Sequence, residues 1–247
     1  MKKVGFAFLL YEKLHNQLIL KQFFDKLKNQ HGCDIHAVAH TKNNAKFDCV
    51  FDIDFIDSIE TSWCDPSCVK ASIMLFEKLF EQGCEVVYLM SDGMIPLDNC
   101  AEFIAKNNTT TFKLQTNDFE KLNTEQIAHR ICNWAWTSDE VRRMLPYNRF
   151  DKQVMFFCIT SYDFEKCRGW FDQIRPSHKE NLQYSVMDEY FWVNAMKLSG
   201  LSYQNNYKYI YMNSDQSKTQ SETFKKIPDD VYKNFMFLRK IYLDDKS

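Results

Sequence analysis

Glycine and proline are scarce, at 6 and 5 of 247 residues. Collagen-like and linker-rich low-complexity chains depend on those residues, so both classes are excluded. Neither sign of charge is in excess. Lys and Arg total 31 against 33 Asp and Glu, for a net charge of -2, which leaves no global basic field to hold a nucleic-acid backbone. The basic clusters are local, at Lys225-Lys226 and Arg239-Lys240. No apolar run reaches the roughly 20 residues that cross a bilayer. No integral membrane segment is expected, and action at a membrane would require a partner to bring the protein there. The start of the chain carries two lysines, Lys2 and Lys3, but its apolar run is too short for a secretory signal and reads as a first strand. A cytoplasmic or otherwise soluble protein is expected.

The 9 cysteines are odd in number and are expected to be reduced and mostly buried. Cys64 and Cys68 stand near the start of an expected helix, with no second Cys/His pair at ligand spacing, so a zinc site is not expected. What the chain has in quantity is aromatic surface: 21 Phe and 12 Tyr, within a hydrophobic fraction of 45%. That composition fits one well-ordered domain with a full core.

Hydrophobic periodicity gives the architecture. Apolar strand-like runs fall at residues 4–10, 33–39, 49–55 and 85–89. Helical spacing fills residues 14–27 and 66–80, the second opened by Pro66 and closed by Gly83. Further helices are expected near 98–106, 125–134, 138–145 and 186–198, with Ser161 capping another. Late strands are expected at 153–159, 207–212 and 236–242. Strands alternating with helices predict an α/β fold with a mostly parallel central sheet flanked by helices. No repeat or clear boundary divides it, so residues 1–247 are read as a single domain.

Three segments bear groups that can do chemistry. Ser91-Asp92-Gly93 follows the fourth expected strand, where ligands bind in open α/β sheets. One carboxylate there is a poor seat for magnesium or manganese, which take several oxygen ligands; a plain turn is the simpler reading. Asp52-Ile53-Asp54 is a literal Asp-x-Asp inside an alternating stretch, which places both acids on one face of a strand, where solvent accounts for them. Asp188-Glu189 enters an expected helix ahead of Tyr190-Phe191-Trp192. Helix starts stabilise negative charge, so the pair is either structural or a general base beside a walled cleft. Phe237-Leu238-Arg239-Lys240 alternates as a strand, which sends its two cations to opposite faces.

In this order the segments resemble the core-2/I-branching β-1,6-N-acetylglucosaminyltransferase family, including its plant and xylosyltransferase-like relatives. The likeness runs through Ala37 to Lys42, Ser62-Trp63 with Val69-Lys70-Ala71, Tyr88 to Leu97, Asp188 to Trp192, and Phe237 to Lys240. It covers nearly the whole chain, and each motif alone is weak. His40 stands where relatives often carry an Asp near the uridine, and two extra residues interrupt the Ser-Trp segment. The resemblance implies a single GT-A-like domain, with residues 1–115 as the nucleotide-binding part and 116–247 as the acceptor and catalytic part. It implies an inverting, metal-independent transferase that moves N-acetylglucosamine or xylose from a UDP-sugar to a glycan hydroxyl. No cofactor is implied, because the UDP-sugar is the donor substrate. Glu189 corresponds to the catalytic base. Lys240, with its neighbour Arg239, corresponds to a cation on the donor diphosphate, and Lys218 or Lys208 is the candidate for a second. His40, Asp92 and Trp63 are the expected nucleotide or sugar contacts. Two alternatives stand beside this one. The first is a metal-dependent transferase using Asp52, Asp54 or Asp92. The second is a non-catalytic glycan-binding or scaffold protein of the same fold.

Overall fold

The computed structural model describes residues 1–62, 66–115, 124–135, 137–174, 186–212 and 229–239. Its first half is β1 (Lys3–Leu10), α1 (Gln17–His31), β2 (Asp34–Thr41), β3 (Asp54–Phe55), α2 (Ser67–Glu81), β4 (Val86–Ser91), β5 (Met94–Pro96), α3 (Cys100–Lys106) and β6 (Thr111–Phe112). Then come α4 (Thr124–Ala135), α5 (Asp139–Met144), β7 (Cys158–Thr160), α6 (Ser161–Cys167), α7 (Phe171–Ile174), α8 (Phe191–Leu198), β8 (Gln204–Asn205), β9 (Ile210–Met212), α9 (Asp229–Asn234) and β10 (Phe237–Arg239). A 3-10 turn, Met187–Glu189, leads into α8.

The main sheet has seven strands in the order β3-β2-β1-β4-β7-β6-β8. β3, β2, β1 and β4 are mutually parallel. β7 runs antiparallel to both β4 and β6, and β8 returns parallel to β6. The fold is therefore α/β with a mostly parallel sheet flanked by helices. A second sheet of three strands, β5-β10-β9, forms where the chain leaves β4. No helix among the described residues is long and apolar enough to cross a membrane.

Side chains of β1 alternate in size as well as direction. Phe6 packs on Phe23 and Phe24 of α1, with ring centroids 6.1 and 4.7 Å away. On the opposite face a Cβ built at Gly5 would meet Val87 Cγ2 at 2.9 Å, Cys84 Sγ at 3.2 Å and Leu79 Cδ1 at 3.2 Å. The lone hydrogen of Gly5 thus lets α2 lie close over the sheet. α2 contributes Phe76, whose ring sits 5.9 Å from Phe157 and 5.2 Å from Trp192. Those contacts join the parallel half of the sheet to α8.

Several expected elements are shorter than their patterns. The third strand is confined to Asp54–Phe55. The apolar run at 153–159 becomes a strand only from Cys158 to Thr160. Its earlier residues change neighbours: Gln153 bridges Leu114, the Val154 N–H donates to the Lys113 carbonyl, and the Leu89 N–H donates to the Phe157 carbonyl. A run shared between two partners is apolar throughout without being one regular strand. Thr160, rather than Ser161, caps α6 by accepting the Asp163 N–H at 3.2 Å. The 8 cysteines among the described residues are free, and Cys33, Cys84, Cys100, Cys158 and Cys167 are buried.

The close approach at Gly5 has a measurable consequence. Gly5→Ala forces a methyl group against α2 and the neighbouring strand, and is expected to cost about 1–3 kcal/mol of stability. Urea unfolding reads this directly. An unchanged midpoint would show that α2 has room to recede.

Candidate active site

The strand order places a topological switch between β1 and β4: the chain moves from β1 outward to β2 and β3, then returns to the other side of β1. Such switches open a crevice at the carboxyl ends of the strands. At that edge Leu9 is in register with His40 on one side and Ser91 on the other, so the three side chains share a face. His40 and Ser91 are both buried. His40 Nε2 accepts the Ile59 N–H at 3.1 Å, and burial holds the imidazole pKa below its ordinary value. The neutral ring therefore carries its proton on Nδ1. His40 Nδ1 and Ser91 Oγ have no hydrogen-bond partner among the described residues.

Beyond Ser91 the chain turns. Asp92 Oδ1 accepts the Gly93 N–H at 2.9 Å, and Met94 enters β5. There Met94 is paired with Arg239 of β10, which on its other side is paired with Met212 of β9. The Arg239 guanidinium lies over the Phe156 ring, 4.3 Å from its centroid, a geometry that holds a cation by the ring's electron-rich face. Its charge also reaches Asp188. The small sheet thus carries the basic segment near the carboxyl terminus back to the acidic pair before α8.

Glu189 ends the 3-10 turn rather than opening a helix, since α8 begins only at Phe191. Its Oε2 is 2.8 Å from Lys152 Nζ, with 27% of the Glu189 side chain and 19% of Lys152 still exposed, so the pair can be reached from outside. Lys152 Nζ also stands 5.9 Å from the centroid of the Tyr190 ring. Asp188, next to Glu189, is also half-buried. Burial pushes its carboxyl up to about 6, the Glu189 charge adds to the rise, and backbone N–H groups and Arg239 oppose it.

The structure therefore brings Glu189, Asp188, Arg239 and Lys152 together; Asp92 lies in the turn that leads to Met94, the partner of Arg239. His40 lies at the same carboxyl edge, separated from β4 by β1. Lys240, Lys218 and Trp63 lie outside the described residues. Lys208 is exposed beside Tyr207, its Nζ 5.9 Å from that ring's centroid. Asp52 and Asp54 are exposed, as their alternation implies, and Asp54 Oδ2 accepts from Gln82 Nε2 at 2.9 Å. Sequence reasoning missed Lys152. The one available signal was a polar triplet, Asp151-Lys152-Gln153, immediately before an aromatic run.

Neither family models nor curated protein sequences give a match to this chain.

A carboxyl whose folded-state pKa is raised binds its proton more tightly in the folded than in the unfolded chain. Stability then falls as pH climbs from about 4, where an unfolded aspartate titrates, to about 6 for Asp188, and the loss persists above. Asp188→Asn removes that slope. The variant is expected to be more stable than the native protein at pH 8 by roughly 1–3 kcal/mol, with the difference closing near pH 4. Urea unfolding across this range tests it, and a gap that is the same at every pH would refute the assignment.

Proposed function

We propose that this chain is an inverting glycosyltransferase that moves a sugar, N-acetylglucosamine or xylose, from a UDP-sugar to a hydroxyl of a glycan. Glu189 serves as base, and fixed cations take the place of a metal ion. The observation that carries this reading is a part-exposed Glu189 carboxylate in an ion pair with Lys152, with the Arg239 guanidinium, fixed over Phe156 on the strand that pairs with β5 just past β4, bearing on the adjacent Asp188. A reachable carboxylate and a held guanidinium are the two groups a single displacement needs.

In the step itself the acceptor oxygen attacks the anomeric carbon. Its proton passes to the Glu189 carboxylate, the new C–O bond forms, and the bond to the β-phosphate oxygen breaks with its electron pair leaving on the diphosphate. A hydroxyl is a weak nucleophile until a positioned base takes its proton during attack. Charge gathering on the departing phosphate is stabilised by a cation that is already in place. Arg239 fills that role among the described residues, and Lys240, its neighbour in sequence, is the second candidate. Base and leaving group act on opposite faces of the sugar, so configuration inverts. Asp92, in the turn beyond β4, offers a carboxylate on the nucleotide side.

Donor hydrolysis, with water as acceptor, tests this without knowledge of the glycan. Incubation with UDP-N-acetylglucosamine or UDP-xylose should release UDP at a rate that chelator leaves unchanged. Glu189→Gln should lower that rate by about 10²–10⁴-fold, while UDP still raises the melting temperature of the variant. Loss of activity in chelator points instead to a metal held by Asp52, Asp54 or Asp92. A biological role that survives Glu189→Gln points to the non-catalytic protein of this fold.

A further inference from the structure

Residues 151–153 lie beside Glu189 although about 40 positions separate them in sequence, as the Gln153–Val193 bond illustrates. They are anchored along their whole length. Asp151 exchanges two hydrogen bonds with Asn194: its N–H donates to Asn194 Oδ1 at 2.9 Å, and its carbonyl accepts from Asn194 Nδ2 at 2.8 Å. Its carboxylate forms an ion pair with Lys197. The Gln153 N–H donates to the Glu189 carbonyl at 2.8 Å, and Gln153 Oε1 accepts the Val193 N–H at 2.7 Å. Lys152 is thus suspended between two fixed residues, with its ammonium on Glu189.

We propose that Lys152 is a positioning residue for Glu189: its ammonium engages Oε2 and so turns Oε1 toward the incoming hydroxyl. The role rests on the transferase reading for its purpose, but the contact itself is independent of it. The charged groups facing this turn explain why a cation is required. Asp188 and Glu189 are adjacent acids, and Arg239 approaches from β10 on the Asp188 side. α8 brings Lys197, which is engaged by Asp151. α2 also packs on the turn, but its buried face of Val69, Ala71, Ser72, Leu75, Phe76 and Leu79 bears no charge. Among the described residues, Lys152 is therefore the cation that sits on Glu189. Without it, Glu189 would face the adjacent Asp188 with no cation on its own carboxylate, and a neighbouring like charge disfavours the ionised form.

The experiment has two arms. In the first, protein labelled with ¹³C at its glutamate carboxyls is titrated by NMR, the Glu189 signal being identified by its loss in Glu189→Gln. Lys152→Met should move the midpoint of that signal to higher pH by about one unit, and Lys152→Arg should keep it near the native value. Lys152→Gln serves the same purpose if the methionine variant does not fold. In the second arm, UDP release from UDP-N-acetylglucosamine is followed against pH. The acidic limb of kcat/KM should rise in parallel in Lys152→Met and be restored in Lys152→Arg. An unchanged Glu189 midpoint in a folded Lys152→Met or Lys152→Gln protein overturns the proposal. A shifted midpoint in a protein that releases no UDP leaves Lys152 as the partner that sets the state of Glu189 and overturns the transferase reading instead.

Discussion

The seam between residues 151–153 and the start of α8 is the constraint on which the candidate site depends. A helix leaves its first N–H groups without partners inside the helix, and the N-cap of α8, Tyr190, offers no side-chain bond to them. Gln153 fills the gap from outside by accepting the Val193 N–H. The same residue binds the Glu189 carbonyl through its own N–H. One side chain and one peptide group therefore fix both the helix start and the turn that carries Glu189. Because Gln153 is wholly buried, water does not compete for these bonds, and breaking either leaves a buried polar group unsatisfied. The position of Glu189 is set by this seam, and helix propensity has little part in it.

Packing behind the seam gives it a rigid base. Trp192 and Tyr190 are almost completely buried. Trp192 meets Phe76, Phe157, Phe164 and Phe191, and Tyr190 stacks on Phe150 at a centroid distance of 5.4 Å. Part of the aromatic abundance of the sequence thus couples α8 to α2 and to the run before β7. Gly5 on the far side of α2 allows that helix to sit low enough to reach both. A change at β1 and a change at Trp192 act on the same layer of packing from its two sides.

Much of the fold was legible because its first half is local. α1, α2, β1, β2 and β4 follow hydrophobic periodicity, with Pro66 and Gly83 marking the limits of α2 within a residue or two. The antiparallel partner β7 and the short β8 were harder to read, since both are defined by whom they pair with. Gln204–Asn205 is exposed and polar, and only its bonds with Thr111 and Phe112 make it a strand. The site divides in the same way. Asp188-Glu189 and Arg239 are adjacent to bulky apolar residues in sequence and drew notice there. Lys152 and Gln153 look like turn residues in sequence, and their roles arise from contacts with residues some 40 positions away. Asp92 was legible as the end of a strand, whereas His40 was not legible as a buried ring whose Nε2 fastens the backbone at Ile59.

The unlike treatment of two neighbouring acids bears on whether the site is chemical or merely structural. A surface pair at a helix start would keep both carboxylates hydrated and lose nothing. Here both side chains are half-buried; desolvation disfavours the negative form of Asp188, while Glu189 carries a lysine on one oxygen. Divergent environments for paired carboxyls are the arrangement that separates proton holder from proton acceptor in acid–base chemistry. A binding surface has no use for that separation, because either carboxylate would accept a hydrogen bond from a sugar hydroxyl equally well. Burying Asp188 also lowers stability at neutral pH, and perturbed groups of this kind concentrate where chemistry is done. On the transferase reading proposed above, that cost goes with an Arg239 guanidinium fixed over Phe156 and bearing on Asp188.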